Sequence, residues 1–156
     1  MVSMTIKVLL LEDLLDAGAD IKFAIESAGD FQLVWGLGAS EADGTTIEII
    51  APDQSKTQHF RLDDFDIAFV DHELDGSYTG AELVALLRAS GVVTVGISAK
   101  ANLNGDMSSA GANMTILKHD LAPSIRYYDF DINEVFETFC DSVGIGEDLS
   151  SLKTFR

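Results

Sequence analysis

An acidic pair (Glu12 and Asp13), an aspartate (Asp71), a hydroxyl (Ser98) and a lysine (Lys118) each stand at the end of a short apolar run. The runs read KVLLLED, DIAFVD, VVTVGIS and MTILK. Three carboxylates supply oxygen donors for a hard divalent cation, and Mg²⁺ commonly takes one or two carboxylates together with waters and phosphate oxygens. A hydroxyl and a compact ammonium suit the oxygens of a phosphoryl group. A carboxylate is a poor nucleophile toward phosphorus because both partners are anionic. A cation beside them removes that repulsion, and transfer then needs mainly positioning and charge stabilisation. Without a cation the three carboxylates repel one another.

The apolar runs read as strands of a parallel sheet. Ile6–Leu11 is continuously apolar, as expected of a strand buried on both faces. A helix is expected over about 14–28, with Leu14, Ile21, Ala24, Ile25 and Ala28 on its apolar face. Strands follow at 31–37, 67–70, 92–97 and 114–117. Helices are expected at 80–89, with Leu83, Leu86 and Leu87 inward, and at about 103–110, with Leu103, Met107 and Ala110. A last helix is expected at about 131–143. Strands alternating with helices imply an α/β fold with a parallel, doubly wound sheet, here the flavodoxin-like (βα)5 type with strand order 2-1-3-4-5. Ligands of such sheets bind beyond the carboxyl ends of the strands, where all five residues would meet.

These five residues in this order resemble the receiver domain of the two-component response regulators (the CheY-like superfamily), over roughly residues 5–143. The resemblance implies that Asp71 is the phosphoacceptor and that Glu12, Asp13 and Asp71, with the backbone carbonyl of Glu73, hold Mg²⁺. It implies that Ser98 and Lys118 bind the phosphoryl oxygens. The donor would be a histidine kinase or a histidine phosphotransfer protein, and the output would pass through contacts with a downstream protein target. Such a domain is a signalling receiver; at most it catalyses its own phosphorylation and dephosphorylation. Glu73 and Lys100 stand two places after the acceptor and the hydroxyl, where receivers tune loss of the phosphoryl group. Across the mouth of the site they are expected as an opposite-charge pair, either one that hinders an attacking water or simply an exposed ion pair. The chain departs from the family pattern at two places. His119 follows the lysine where proline is usual, and Thr115 occupies the place of the switch aromatic, so the usual switch is not expected unless Tyr127 or Tyr128, otherwise read as packing residues, substitutes for it. The alternative is a receiver-fold interaction module that works without phosphorylation.

Between the second and third strands lies an insertion, about 38–66, where the family has one helix. Segments 45–50 and 57–62 are β-rich and Ala51-Pro52-Asp53-Gln54-Ser55-Lys56 carries turn chemistry. A β-hairpin replacing or extending the second helix is expected. It is either a surface decoration or a partner-binding edge that also admits a homodimer. Asp63, Asp64 and Asp66 read as a solvated loop.

Composition narrows the remaining choices. The chain of 156 residues carries a formal net charge of −16, which argues against direct contact with nucleic acid or an anionic membrane. The lone Cys140 forms no internal disulfide, as in a reducing cytosol, and reads as a small buried hydrophobe. No apolar run is long enough for a signal peptide or a membrane span, so a cytoplasmic location is expected. The tail, 144–156, is too short for an output domain. Residues 71–82 nearly match a calcium loop, but that motif needs a helix before Asp71 and leaves Ser98, Lys118, Glu12 and Asp13 unexplained. His72, next to the acceptor, is expected to point away from it by strand alternation.

Overall fold

The computed structural model describes residues 6–28, 31–53, 56–98 and 100–117. Lys118, His119, Tyr127, Tyr128, Cys140, the expected last helix and the tail lie outside the described residues. Five strands form one parallel sheet: β1 (Ile6–Leu11), β2 (Phe31–Gly36), β6 (Ile67–Asp71), β8 (Val93–Ser98) and β9 (Met114–Leu117). Their order is β2-β1-β6-β8-β9, which is 2-1-3-4-5 when these five are counted alone. β1 and β6 lie inside the sheet, and Val8–Leu11 and every residue of β6 are buried. That double burial is why both read as unbroken apolar runs.

Three α-helices are described: α1 (Leu15–Ala28), α2 (Gly80–Ala89) and α3 (Ala101–Ser109). Ile21 and Ile25 bury the inner face of α1. Leu14 lies one residue before the helix and is 57% exposed, so it does not belong to that face. On α2, Leu83, Val84 and Leu87 are buried, while Leu86 is only partly covered. Thr79 starts α2 with a capping box: its hydroxyl accepts from the Glu82 N–H at 3.2 Å, and the Glu82 carboxylate accepts from the Thr79 N–H at 3.0 Å. The chain leaves α2 through Gly91 at φ 82°, a conformation that glycine adopts without steric cost.

Among the described residues no α-helix stands between β2 and β6. The insertion is instead β3 (Gly38–Ala42), β4 (Thr46–Ile50), β5 (Thr57–Arg61) and a 3₁₀ turn at Leu62–Asp64. β4 and β5 are the expected hairpin; β3, a nearly direct continuation of β2, has no counterpart in the sequence-based expectation. The three join β7 (Asp75–Gly76) in a second sheet of order β5-β4-β3-β7. Alternation along β4 buries Ile47 and Ile49 in one cluster with Leu9, Leu11, Val70, Leu83 and Leu87. Each buried isoleucine contributes roughly 1.5–3 kcal/mol. One face of the insertion is therefore part of the hydrophobic core, while β5 is largely exposed.

Asp66 also departs from expectation. Asp63 and Asp64 are exposed, but Asp66 is 3% exposed and its carboxylate accepts from the Lys7 N–H at 2.9 Å. It fixes the start of β1 against β6. Among the described residues no helix is long and apolar enough to cross a membrane.

Candidate functional site

The carboxyl ends of β1, β6 and β8 lie side by side, with Leu11 opposite Val70 and Asp71 opposite Ile97. This register brings Glu12, Asp13, Asp71 and Ser98 to one edge. One carboxylate oxygen from each of Glu12, Asp13 and Asp71 lies within 4.8 Å of the other two. Glu12 and Asp71 are buried and Asp13 is half-buried. Asp13, Asp71, Glu73, Ser98 and Lys100 line a cleft of about 140 Å³, together with the apolar side chains of Leu14 and Leu103. Glu73 and Asp13 also line an adjoining hollow toward Tyr78.

Local hydrogen bonds orient these groups. The His72 N–H donates to Asp71 Oδ1 at 2.8 Å, which orients the Asp71 carboxylate. The Ser98 hydroxyl accepts from the Lys100 N–H at 3.1 Å, so its own proton is directed elsewhere. The Leu14 N–H donates to Glu12 Oε1 at 3.3 Å. Gly80, the first residue of α2, lies so close to β6 that a methyl group there would overlap the Asp71 carbonyl. The start of α2 and the end of β6 thus meet backbone to backbone.

The donor set fits a hard divalent cation. All the candidate ligands are oxygens, two of the carboxylates are shielded from bulk water, and their mutual spacing lets one ion touch all three. Among the described residues Glu73 and Lys100 both line the cleft but form no ion pair, contrary to expectation. His72 turns aside, as alternation predicts, with Nε2 3.3 Å from Asp106 Oδ2 on α3. The calcium-loop reading fails because strand β6, not a helix, precedes Asp71, and because Asp75 and Gly76 are committed to β7. Lys118 follows directly on Leu117, the last residue of β9, and falls just outside the described residues.

Sequence reasoning missed Trp35. Its indole N–H donates to the Glu12 carbonyl at 3.0 Å, and its ring lies where a side chain at position 18 would be, over Gly18 of α1. The available signal was a lone tryptophan at a strand end beside a glycine within a helix.

No protein-family model matches the sequence, and no curated protein matches it. Solved structures do. The response regulator domain of Thermotoga maritima CheB is 15% identical, with 92% of this chain and 99% of that one covered and a TM-score of 0.58. The signal receiver domain of the putative response regulator NarL from Mycobacterium tuberculosis is 17% identical, covering 91% and 98%, with a TM-score of 0.55. A response regulator from Burkholderia pseudomallei with a phosphorylated aspartic acid, calcium ion and citrate is 14% identical, covering 78% and 69%, with a TM-score of 0.50. The chain has the fold of these receiver domains.

Proposed function

We propose that this chain is a phosphorylatable receiver domain that accepts a phosphoryl group on Asp71 from a phosphohistidine of a histidine kinase or phosphotransfer protein. The observation that carries the reading is the meeting of Glu12, Asp13 and Asp71 within 4.8 Å at the carboxyl edge of a receiver-type sheet. Glu12, Asp13, Asp71 and the Glu73 carbonyl would hold Mg²⁺. When bound, Mg²⁺ supplies positive charge that offsets the repulsion between the acceptor and the phosphoryl oxygens.

The chain's own groups do the rest. An Asp71 oxygen forms the new O–P bond as the P–N bond of the donor breaks. The electron pair of that bond leaves with the imidazole, which is released as neutral histidine or takes up a proton from solvent. The His72 N–H holds the carboxylate in one rotation during the approach. Ser98 donates its proton to a phosphoryl oxygen, and Lys118 places its ammonium on another. Signalling proceeds through protein contacts in the cytoplasm, with no classical enzymatic turnover.

The test is intact mass after incubation with acetyl phosphate, with and without Mg²⁺, on wild type and Asp71→Asn. A single Mg²⁺-dependent phosphoryl adduct that disappears in Asp71→Asn is expected. If phosphorylated histidine kinases also leave no adduct, the chain is a receiver-fold interaction module that works without phosphorylation.

A further inference from the structure

We propose that residues 35–39, where β2 passes into β3, are a positioning element that holds both acidic loops of the site in place before a cation arrives. The proposal rests on the metal site assigned above. It adds a role for the insertion.

Four hydrogen bonds leave this short run in two directions. Toward the loop carrying Glu12 and Asp13, Trp35 donates from its indole to the Glu12 carbonyl at 3.0 Å, and the Gly36 carbonyl accepts from the Glu12 N–H at 3.0 Å. Toward the loop after Asp71, the Leu37 carbonyl accepts from the Asp75 N–H at 3.0 Å, and the Ala39 carbonyl accepts from the Ser77 N–H at 3.1 Å. Glu73 lies between Asp71 and that second pair of bonds. One short run, the passage from β2 to β3, therefore bonds to both ligand-bearing loops at once.

The grip is built at backbone distance. A methyl group at Gly38 would overlap the Asp75 carbonyl, and one at Gly76 would overlap the Ala39 carbonyl. Gly76 also sits at φ 90°, which disfavours any other residue. Beyond the run, the Tyr78 hydroxyl donates to the Ala42 carbonyl at 2.9 Å, tying the far end of the same loop to β3.

The physical need is clear from the charges. Three carboxylates within 4.8 Å push their loops apart when no cation is present. Loops that splay must be gathered again on binding, and that ordering weakens affinity. Bonds to a run that is itself anchored by the buried Leu37 and Ala39 hold the loops before binding, so that ordering is not required when the ion arrives.

The test is Mg²⁺ affinity by isothermal titration calorimetry on wild type, Trp35→Phe, Gly76→Ala and Gly44→Ala. Gly44 is the control, since it belongs to the turn between β3 and β4 and a methyl group there meets nothing within 4 Å. Trp35→Phe keeps a ring over Gly18 but loses the donor, so it carries the test if circular dichroism shows that Gly76→Ala has unfolded. Trp35→Phe and Gly76→Ala are each expected to weaken Mg²⁺ binding about fivefold or more, with Gly44→Ala unchanged. Wild-type affinity in Trp35→Phe, or an equal loss in Gly44→Ala, would overturn the positioning role while leaving the metal site standing. Wild type that binds no Mg²⁺ would instead remove the site itself, and the proposal with it.

Discussion

The Trp35 indole N–H meets the carbonyl oxygen of Glu12 at 3.0 Å, which places the only tryptophan of the chain one residue from Asp13. The indole dipole is thus coupled to the backbone of the acidic pair. A divalent charge arriving at Glu12 and Asp13 would change the field at the ring and the strength of that hydrogen bond.

A saturable change in tryptophan emission is accordingly expected on titration with MgCl₂. In Asp13→Asn and Asp71→Asn the midpoint should rise on the order of tenfold or more, since each removes one of the charged carboxylates proposed to hold the ion. A flat emission trace in wild type, alongside measurable binding by calorimetry, would show that the indole is not coupled to the ion.

Gly18→Ala tests the other side of the same ring. In an exposed helix interior, glycine to alanine stabilises by up to about 1 kcal/mol. Here the added methyl overlaps the Trp35 ring carbons, and overpacking a filled site costs about 1–3 kcal/mol. The second term wins, so a net loss of up to about 2 kcal/mol in urea unfolding is expected. A more stable variant would mean that the ring moves aside without cost.

The parallel sheet was legible because its strands are buried on both faces and read as apolar runs ending in polar residues. The placing of Glu12, Asp71 and Ser98 at the carboxyl edge of the sheet was legible for the same reason: each is the first buried polar group after such a run. β3 and β7 were not. Gly38–Ala42 has the sequence GASEA and β7 is the dipeptide Asp75-Gly76, so neither carries periodicity. Both exist because the tertiary register offers them partners. Asp66 was misread because its role depends on the Lys7 N–H, 59 positions away, which no local pattern encodes.

The turn between β3 and β4 should carry a pH dependence of its own. Backbone N–H groups of Thr46 and Thr45 donate to the Asp43 carboxylate at 2.8 and 2.7 Å and hold its pKa below the usual carboxylate range. A depressed folded pKa means that the charged turn stabilises the fold above the unfolded value, near 4. That contribution is lost as pH falls through the folded value. Asp43→Ala should therefore lower the melting temperature relative to wild type at pH 7, and the gap should narrow below about pH 4. A gap that stays constant down to about pH 2, well below the unfolded value, would assign the effect to packing and not to charge.

Ser98 separates the two halves of the proposed chemistry. It is 2% exposed, follows the β8 residue that pairs with Asp71, and accepts from the Lys100 N–H, which leaves its proton for an acceptor in the cleft. A hydroxyl is a weaker ligand for Mg²⁺ than the three carboxylates, but a well-placed donor for developing phosphoryl charge. Ser98→Ala is therefore expected to leave Mg²⁺ affinity within about twofold while slowing labelling by acetyl phosphate on the order of 10²-fold, as for loss of one preorganised donor. Ser98→Thr restores the hydroxyl and should recover most of the rate, provided that its extra methyl fits the buried strand end. Equal losses of metal affinity and rate in Ser98→Ala would point to collapse of the cleft. An unchanged rate would show that the phosphoryl oxygens take their hydrogen bonds from other groups, leaving Ser98 only its bond from the Lys100 N–H.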